Sequence, residues 1–326
     1  MKYKITLKPL QPFLFGGDNT YGKIGDKENG TYITKSRLFP QQSAILGMLK
    51  KEIMTQQGLL TKKIKGEWVD KNKTTTAHEF VGLEKFNIFQ NTPQNFGKIK
   101  KISPIFIEQN NQIIIKKANI KSFPIEKNDN NFFLKNFTSK FDIFDNFETL
   151  DGNKNYKTTD IFKEINQTLN QKNASENSLY KKTSYMLEKG FSFVFFLECD
   201  CEIKGSIITL GADKSSFIME VESSTQNLDI KTSHLILLSD SYISLPLEEH
   251  CDFAITSEIS YQNLTNIKGI QKNKKTNKNS FSKSKKVYLY EKGSVIIGAK
   301  QSLIDNINNP NLQQIGYNTY TLGENK

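Results

Sequence analysis

The residues best suited to holding an anion lie in KSRLFPQQSAILGMLKK, at 35–51. Arg37 is the only arginine of the chain; the other strongly basic side chains are all lysine. A planar guanidinium grips phosphate through two parallel hydrogen bonds, which an ammonium cannot do. Ile45, Leu46 and Leu49 form an apolar helical side, and Pro40 suits a first helical turn. The segment therefore predicts an extended Ser36–Arg37 stretch delivered to the start of a helix over 40–56. Helix N-termini attract anions, because unpaired N–H groups and the helix dipole both face outward. A surface loop entering an ordinary core helix carries the same local pattern.

Two glycine turns repeat the theme. Gly211-Ala212-Asp213-Lys214-Ser215-Ser216 separates two strand patterns. Glycine permits close backbone approach, and Lys214 and Ser215 suit a phosphate, but an ordinary hairpin turn fits equally. Gly293-Ser294 and Gly298 read in the same two ways.

Catalytic groups are scarce. Of the three histidines, His78 follows TTTA in what reads as a polar loop, His234 opens an apolar run, and His250 adjoins Cys251. No P-loop, nucleophile elbow or paired-carboxylate metal motif accompanies them. Three cysteines, an odd number, argue against a disulfide framework. In 191–203 the odd positions are apolar and the even ones mostly polar, the pattern of a half-buried strand. Cys199 and Cys201 fall on its apolar face, where packing explains them better than a zinc site needing four ligands. The expectation is a protein without catalytic residues, metal or cofactor.

Composition narrows the partners. The chain has 326 residues, a net charge of +11 and 37% hydrophobic residues. The basic balance favours nucleic acid or an anionic surface. Richness in Lys, Asn and Ile also fits an AT-rich coding bias. Bias alone would raise Glu as well, yet there are 34 acidic against 45 basic residues. The start, MKYKITLKPL, lacks the apolar run of a signal peptide, and no stretch reaches the ~20 apolar residues that span a bilayer. A cytoplasmic protein with no membrane partner is expected.

Along the chain, 2–10 reads as a strand and 11–35 as a long glycine-bearing loop. Ile102–Ile107 and Gln112–Lys117 flank EQNN as a β-hairpin. The 126–180 region, with scattered Phe and no sustained period, reads as an insertion with a short helix near 159–170. Strands follow at 191–203, 207–210, 216–222, 234–240, 287–291 and 293–298. Residues 268–286 carry eight lysines and no acid, as a solvated loop would. Split strands and few helices predict an α+β chain of two domains, with antiparallel sheets and helices on one face. The boundaries expected are 1–150, a connecting insertion over 151–180, and 181–326.

Taken in order, KITLKPLQPFLFGG, SRLFPQQSAILGMLK, SLYKKTSYMLEKGFSFVFFLE, LGADKSSFIMEVE, LILLSD, EKGSVIIGA and IGYNTY span most of the chain. This series resembles the third-subunit family of the Cmr complex, a type III-B CRISPR effector. That family lies in the branch of the RAMP superfamily that holds the 5′ handle of CRISPR RNA. The chain departs from it in its near absence of Arg and its long Lys/Asn-rich insertions. The resemblance implies two fused ferredoxin-like (RRM-like) domains and a non-catalytic role in antiviral defence. It implies binding of the repeat-derived 5′ handle of the guide RNA. It further implies that the subunit links the large polymerase-cyclase subunit to the backbone subunits. Carried onto this sequence, it points to Ser36, Arg37, Gln41, Gln42 and Ser43 at the first helix. It points also to Lys181, Lys182 and Thr183 before the central strand, to Lys214 and Ser215, and to Gly293 and Ser294. Tyr180 and Tyr185 are candidates for stacking on a base or for the core, and 126–150 for a thumb-like hairpin. Small Ser43 and Gly47 have a second explanation, close packing of the helix on a sheet.

Two other readings stand beside this one. A related RAMP endoribonuclease would process repeat RNA with a histidine base near the first helix, but no histidine precedes His78. A protein-interaction scaffold would carry its charge only as coding bias.

Overall fold

Alternating apolar residues in Lys2–Pro9 and a nearly continuous apolar run in Phe191–Cys199 build the centre of the molecule. The structure is a computed structural model. It describes residues 1–16, 19–21, 32–60, 63–64, 67–68, 71–129, 131–170, 179–225, 232, 234–262, 264–266, 281–283 and 285–321. The fold is α+β, with mostly antiparallel sheets and few helices.

The main sheet has nine strands. Its order is Asn155–Tyr156, Phe147–Thr149, Gln112–Lys116, Phe106–Gln109, Phe191–Cys199, Lys2–Pro9, Ser215–Ser223 and Ser206–Leu210, with Ile99–Ile102 also paired to Phe191–Cys199. Lys2–Pro9 lies between two strands from well past the middle of the chain, with Ile5 opposite Phe195 on one side and Val221 on the other. The sheet therefore takes strands from both sides of residues 151–180.

Helix α1, Gln42–Gln56, covers one face. Ile45 and Leu49 are completely buried there with Ile5, Leu7, Phe193 and Phe195. Burial of each such side chain is worth about 1.5–3 kcal/mol. Gly47 is exposed, and nothing lies within 4 Å of where a Cβ would stand, so close packing does not explain it. The opposite face is covered too: Val194 packs with Phe106, Ile113, Ile115 and Leu238. Phe191–Cys199 is thus buried on both sides at its middle, not half-buried as its alternation predicts. Cys199 and Cys201 lie buried with their sulfurs 3.0 Å apart, and burial pushes the Cys201 thiol up to about 12.

A second antiparallel sheet orders Phe253–Ile255, Val295–Ile297, Leu235–Leu237 and Tyr320–Thr321. Its core joins Leu235, Leu237 and Ile296 to Leu303 and Ile307. A third sheet orders Phe162–Asn170, Leu179–Leu187, Tyr32–Lys35 and Asn19–Tyr21. It contains one parallel pair, Leu179–Leu187 with Tyr32–Lys35.

Several expectations are corrected. α1 begins two residues late: Gln41 is its N-cap, so Pro40 stands before the helix. His78 lies in helix α2, Lys71–Val81, not in a loop. The helix expected near 159–170 is one turn, α3 at Thr158–Ile161, followed by the strand Phe162–Asn170. Nine-residue pairing with Leu179–Leu187 overrides its local helical pattern. The 126–180 region is structured: Ile125–Asn128 pairs with Asn131–Leu134, and Phe147–Thr149 joins the main sheet. Between 125 and 156 the strands have only two to four residues each, too short to show a period. In the 11–35 stretch, Phe13 bridges to Tyr185 and Phe15 to Arg37. Gly17, Gly22, Gly25 and Gly30 lie outside the described residues, as does most of the lysine-rich 268–286 segment, where Phe281–Lys283 pairs with Leu264–Asn266. The EQNN turn is as expected: Asn110 and Asn111 both adopt left-handed backbone, φ 50° and 61°, as a two-residue hairpin turn requires.

Candidate nucleic-acid interface

The short segment Phe13–Phe15 gathers the distant motifs. Phe13 exchanges backbone hydrogen bonds with Tyr185, and the Ala212 N–H donates to Leu14 O at 2.8 Å. The Phe15 N–H donates to Ser36 Oγ at 2.8 Å, while the Arg37 N–H donates to Phe15 O at 3.1 Å. The Ser36 N–H in turn donates to Thr183 O at 2.9 Å. Ser36–Arg37, Thr183 and the Gly211 turn thus become neighbours although they are far apart in sequence. Gly211 makes this approach possible: with φ +93°, a Cβ there would stand 2.6 Å from Leu14 O.

Arg37 opens onto a cleft of about 300 Å³. Lys35, Lys116 and Lys292 add three more cations to its walls; Asp142, Asp240 and Glu291 supply the acids; Phe39, Phe144 and Tyr185 supply aromatic surface. The Arg37 guanidinium donates to the carbonyl of Ser260 and, at 3.3 Å, to its hydroxyl. The remaining donors of its fork leave it capable of a charge-assisted bond to an oxyanion. Lys116 pairs with Glu291 at 2.5 Å. Lys292 is the deepest cation: its ammonium donates to Ile105 O at 3.1 Å and lies 3.7 Å from the centre of the Phe39 ring. Burial lowers its pKa to about 8, against the opposing pull of Asp240. Burial likewise raises the Asp240 carboxyl, with Lys292 opposing.

The twelve sequence candidates divide by placement. Ser36 and Arg37 line the cleft, whereas Lys181 and Lys214 are exposed and are not among the residues that line it. Lys182, half-buried, pairs with Asp213, which ties the 179–187 strand to the Gly211 turn. Ser36, Thr183, Ser215 and Ser294 are buried, with hydroxyls engaged by Arg37 O, Asn166 Oδ1, Pro12 O and Glu291 O respectively. They hold the backbone of the site in place. Gly293 is buried, and its carbonyl accepts from the Ala118 N–H; Lys292 just before it faces the cleft. Gln41 and Ser43 are half-buried at the α1 start, but Gln42 turns inward and donates to Ser103 O and Gly316 O. Lys181–Thr183 precede the central strand Phe191–Cys199 and themselves lie within the strand Leu179–Leu187. Tyr185 is buried against Phe162 and lines the cleft; the Tyr180 side chain lies outside the described residues.

Lys35, Phe39, Lys116, Asp240 and Lys292 escaped the sequence reading. Lys35 and Phe39 flank Arg37, and Lys292 precedes Gly293, so adjacency to a chosen motif was an available signal. Lys116 ends an apolar strand and Asp240 follows one that stops at Leu237, and nothing local marks them.

No family model and no curated protein matches the sequence. Solved structures share the fold. One is a chain of the type III-B Cmr-β complex bound to cognate target RNA, with TM-score 0.54 and 16% identity over 98% of this chain and 96% of that one. A chain of the same kind of complex with target RNA and AMPPnP gives TM-score 0.52 and 17% identity over the same shares. At that identity the likeness is one of fold.

Proposed function

We propose that this chain is an RNA-binding subunit of a type III CRISPR effector complex, of the Cmr kind, that holds the repeat-derived 5′ handle of the guide. The observation that carries this is the convergence of Arg37, Lys35, Lys116 and Lys292 on one cleft, with the SRLFPQQ, GADKSS and EKGSV motifs drawn up around it. The whole-length likeness to chains of RNA-bound Cmr-β complexes supports the assignment. In this reading Arg37 grips a backbone phosphate, Lys181 and Lys214 extend the phosphate track, and the cleft aromatics contact a base. The subunit is non-catalytic, cytoplasmic, and joins the large polymerase-cyclase subunit to the backbone subunits. Two fused ferredoxin-like units are the proposed subdivision; a cut within 151–180 would divide the nine-stranded sheet, whose strands all fall within 2–223.

The test is to recover the tagged protein from its native host and sequence the 5′ ends of copurifying RNA. A uniform repeat-derived tag on varied spacers is expected. Heterogeneous RNA, or none, would overturn the handle-binding role. Incubation with repeat RNA should produce no site-specific cleavage; cleavage lost in His78→Ala would instead establish the endoribonuclease.

A further inference from the structure

Away from the cleft, two thiols meet at the end of the central strand. Cys199 closes Phe191–Cys199, and Cys201 follows after the single residue Asp200. Neither cysteine lines the cleft. In a fully extended chain two same-face residues stand about 6.6 Å apart at Cα, near the upper limit for a disulfide. Here the chain bends at Asp200 and Cys201, and the two sulfurs approach to 3.0 Å. Carbon atoms, smaller than sulfur, rest in contact at about 3.5–4.0 Å, so this pair is closer than ordinary packing.

The backbone pins one partner more firmly than the other. The Cys199 N–H donates to Met1 O at 3.0 Å, and the Met1 ammonium donates to Cys199 O at 2.9 Å. The Asp200 N–H donates to Lys98 O at 2.9 Å. At Cys201 the Tyr3 hydroxyl donates to the carbonyl at 3.4 Å. Cys199 is completely buried, whereas Cys201 is 8% exposed between the exposed Asp200 and Glu202. A small oxidant therefore reaches Cys201 first. Burial keeps that thiol protonated at neutral pH, which slows its reaction without preventing it. The Cys251 thiol instead donates to Leu247 O at 3.1 Å. Among the described residues no group of three or more histidines, cysteines or carboxylates gathers that could hold a metal ion, so the pair is a dithiol and not part of a ligand set.

We infer that Cys199 and Cys201 form a reversible disulfide in response to hydrogen peroxide. The Cys201 thiolate attacks one peroxide oxygen; the O–O bond breaks, the leaving hydroxide takes up a proton as water, and Cys201 becomes a sulfenic acid. The Cys199 sulfur loses its proton and attacks the Cys201 sulfur; the S–S bond forms, the S–O bond breaks, and a second water leaves. Two thiols are oxidised and one peroxide is reduced to two waters. A ring closed through one intervening residue gains little loop entropy and is strained, so a thiol reductant reopens it.

The test treats the reduced full chain with hydrogen peroxide, removes the excess with catalase, unfolds the protein in urea with N-ethylmaleimide and weighs its tryptic peptides. Both cysteines fall in the peptide from Gly190 to Lys204. That peptide should be about 2 Da lighter, the mass of the two hydrogens lost, and should carry no maleimide. Dithiothreitol before labelling should restore two maleimides. Cys251→Ser should leave the result unchanged, and Cys201→Ser should abolish it. Two maleimides after peroxide, separate sulfinic acids on the two residues, or a link to Cys251 or to a second chain would overturn the proposal. A disulfide that forms only when peroxide is added in urea would overturn it too, since sequence spacing and not the folded geometry would then bring the sulfurs together.

Discussion

Among the described residues, both side-chain hydrogen bonds of Arg37 leave from one terminal nitrogen of its guanidinium. Its bonds to Ser260 carbonyl and hydroxyl fix the plane of the fork at the cleft. Arg37→Ala should weaken guide-RNA binding by roughly 1.5–3 kcal/mol, the range for a charge-assisted hydrogen bond, with a smaller loss of stability. Arg37→Lys should recover charge but not the bidentate geometry, so binding measured by filter retention should fall between the two. Lys292 makes a prediction about pH. Its pKa of about 8 lies below that of an unfolded lysine. At Lys292 the unfolded chain therefore holds more proton than the native one above pH 8, so the contribution of this residue to stability rises with pH from about 8 towards 10, at about 1.4 kcal/mol per unit. Below pH 8 both states are protonated and the burial penalty is present in full. Lys292→Met should flatten that rise, read as Tm across the alkaline range relative to the unsubstituted protein.

At the scale of elements, the site depends on one turn and one strand pair. The Gly211 turn reaches Leu14 through a left-handed glycine, and Ser215 anchors its far end to Pro12 O. Gly211→Ala should cost about 1–3 kcal/mol of stability, as left-handed strain and a backbone clash combine. It should also weaken RNA binding, because it moves Asp213 and with it the Lys182 pair. Urea unfolding and anisotropy on the same variant check both arms; unchanged binding with lowered stability would exclude the turn from the interface. This turn was legible as GADKS, but its reach to Phe13–Phe15 was not. The segment PFLF reads as loop in sequence because it pairs only through isolated bridges. The Phe162–Asn170 strand was illegible for the opposite reason: KEINQTLN tolerates a helix, and only its partner decides.

At the scale of the molecule, net charge of +11 is steep enough to bind RNA without specificity. What distinguishes a built site from a diffuse field is the salt slope. For single strands each phosphate contact contributes about −0.7 to the slope of log K against log salt, so a site with three contacts should give about −2. Arg37→Ala should reduce its magnitude by about 0.7, whereas removing a lysine in the 268–286 segment should change it less. Titrations in rising KCl test this; equal changes for both would favour a diffuse field.

Sequence by itself determined the strands that are strongly periodic or uniformly apolar, the α1 helix, the EQNN turn, the basic balance and the order of motifs behind the family resemblance. Each of these is a property of neighbours along the chain: side-chain period, turn chemistry, or charge. Only the tertiary structure decided that Lys2–Pro9 inserts between two late strands, and that Lys292 and Lys116 meet Arg37 at one cleft. It alone turned Ser36, Gln42, Ser215 and Ser294 inward. Serine beside arginine looks the same in sequence whether its hydroxyl faces solvent or accepts a buried N–H. Burial and long-range pairing make that choice, through the cost of leaving a buried donor unmet.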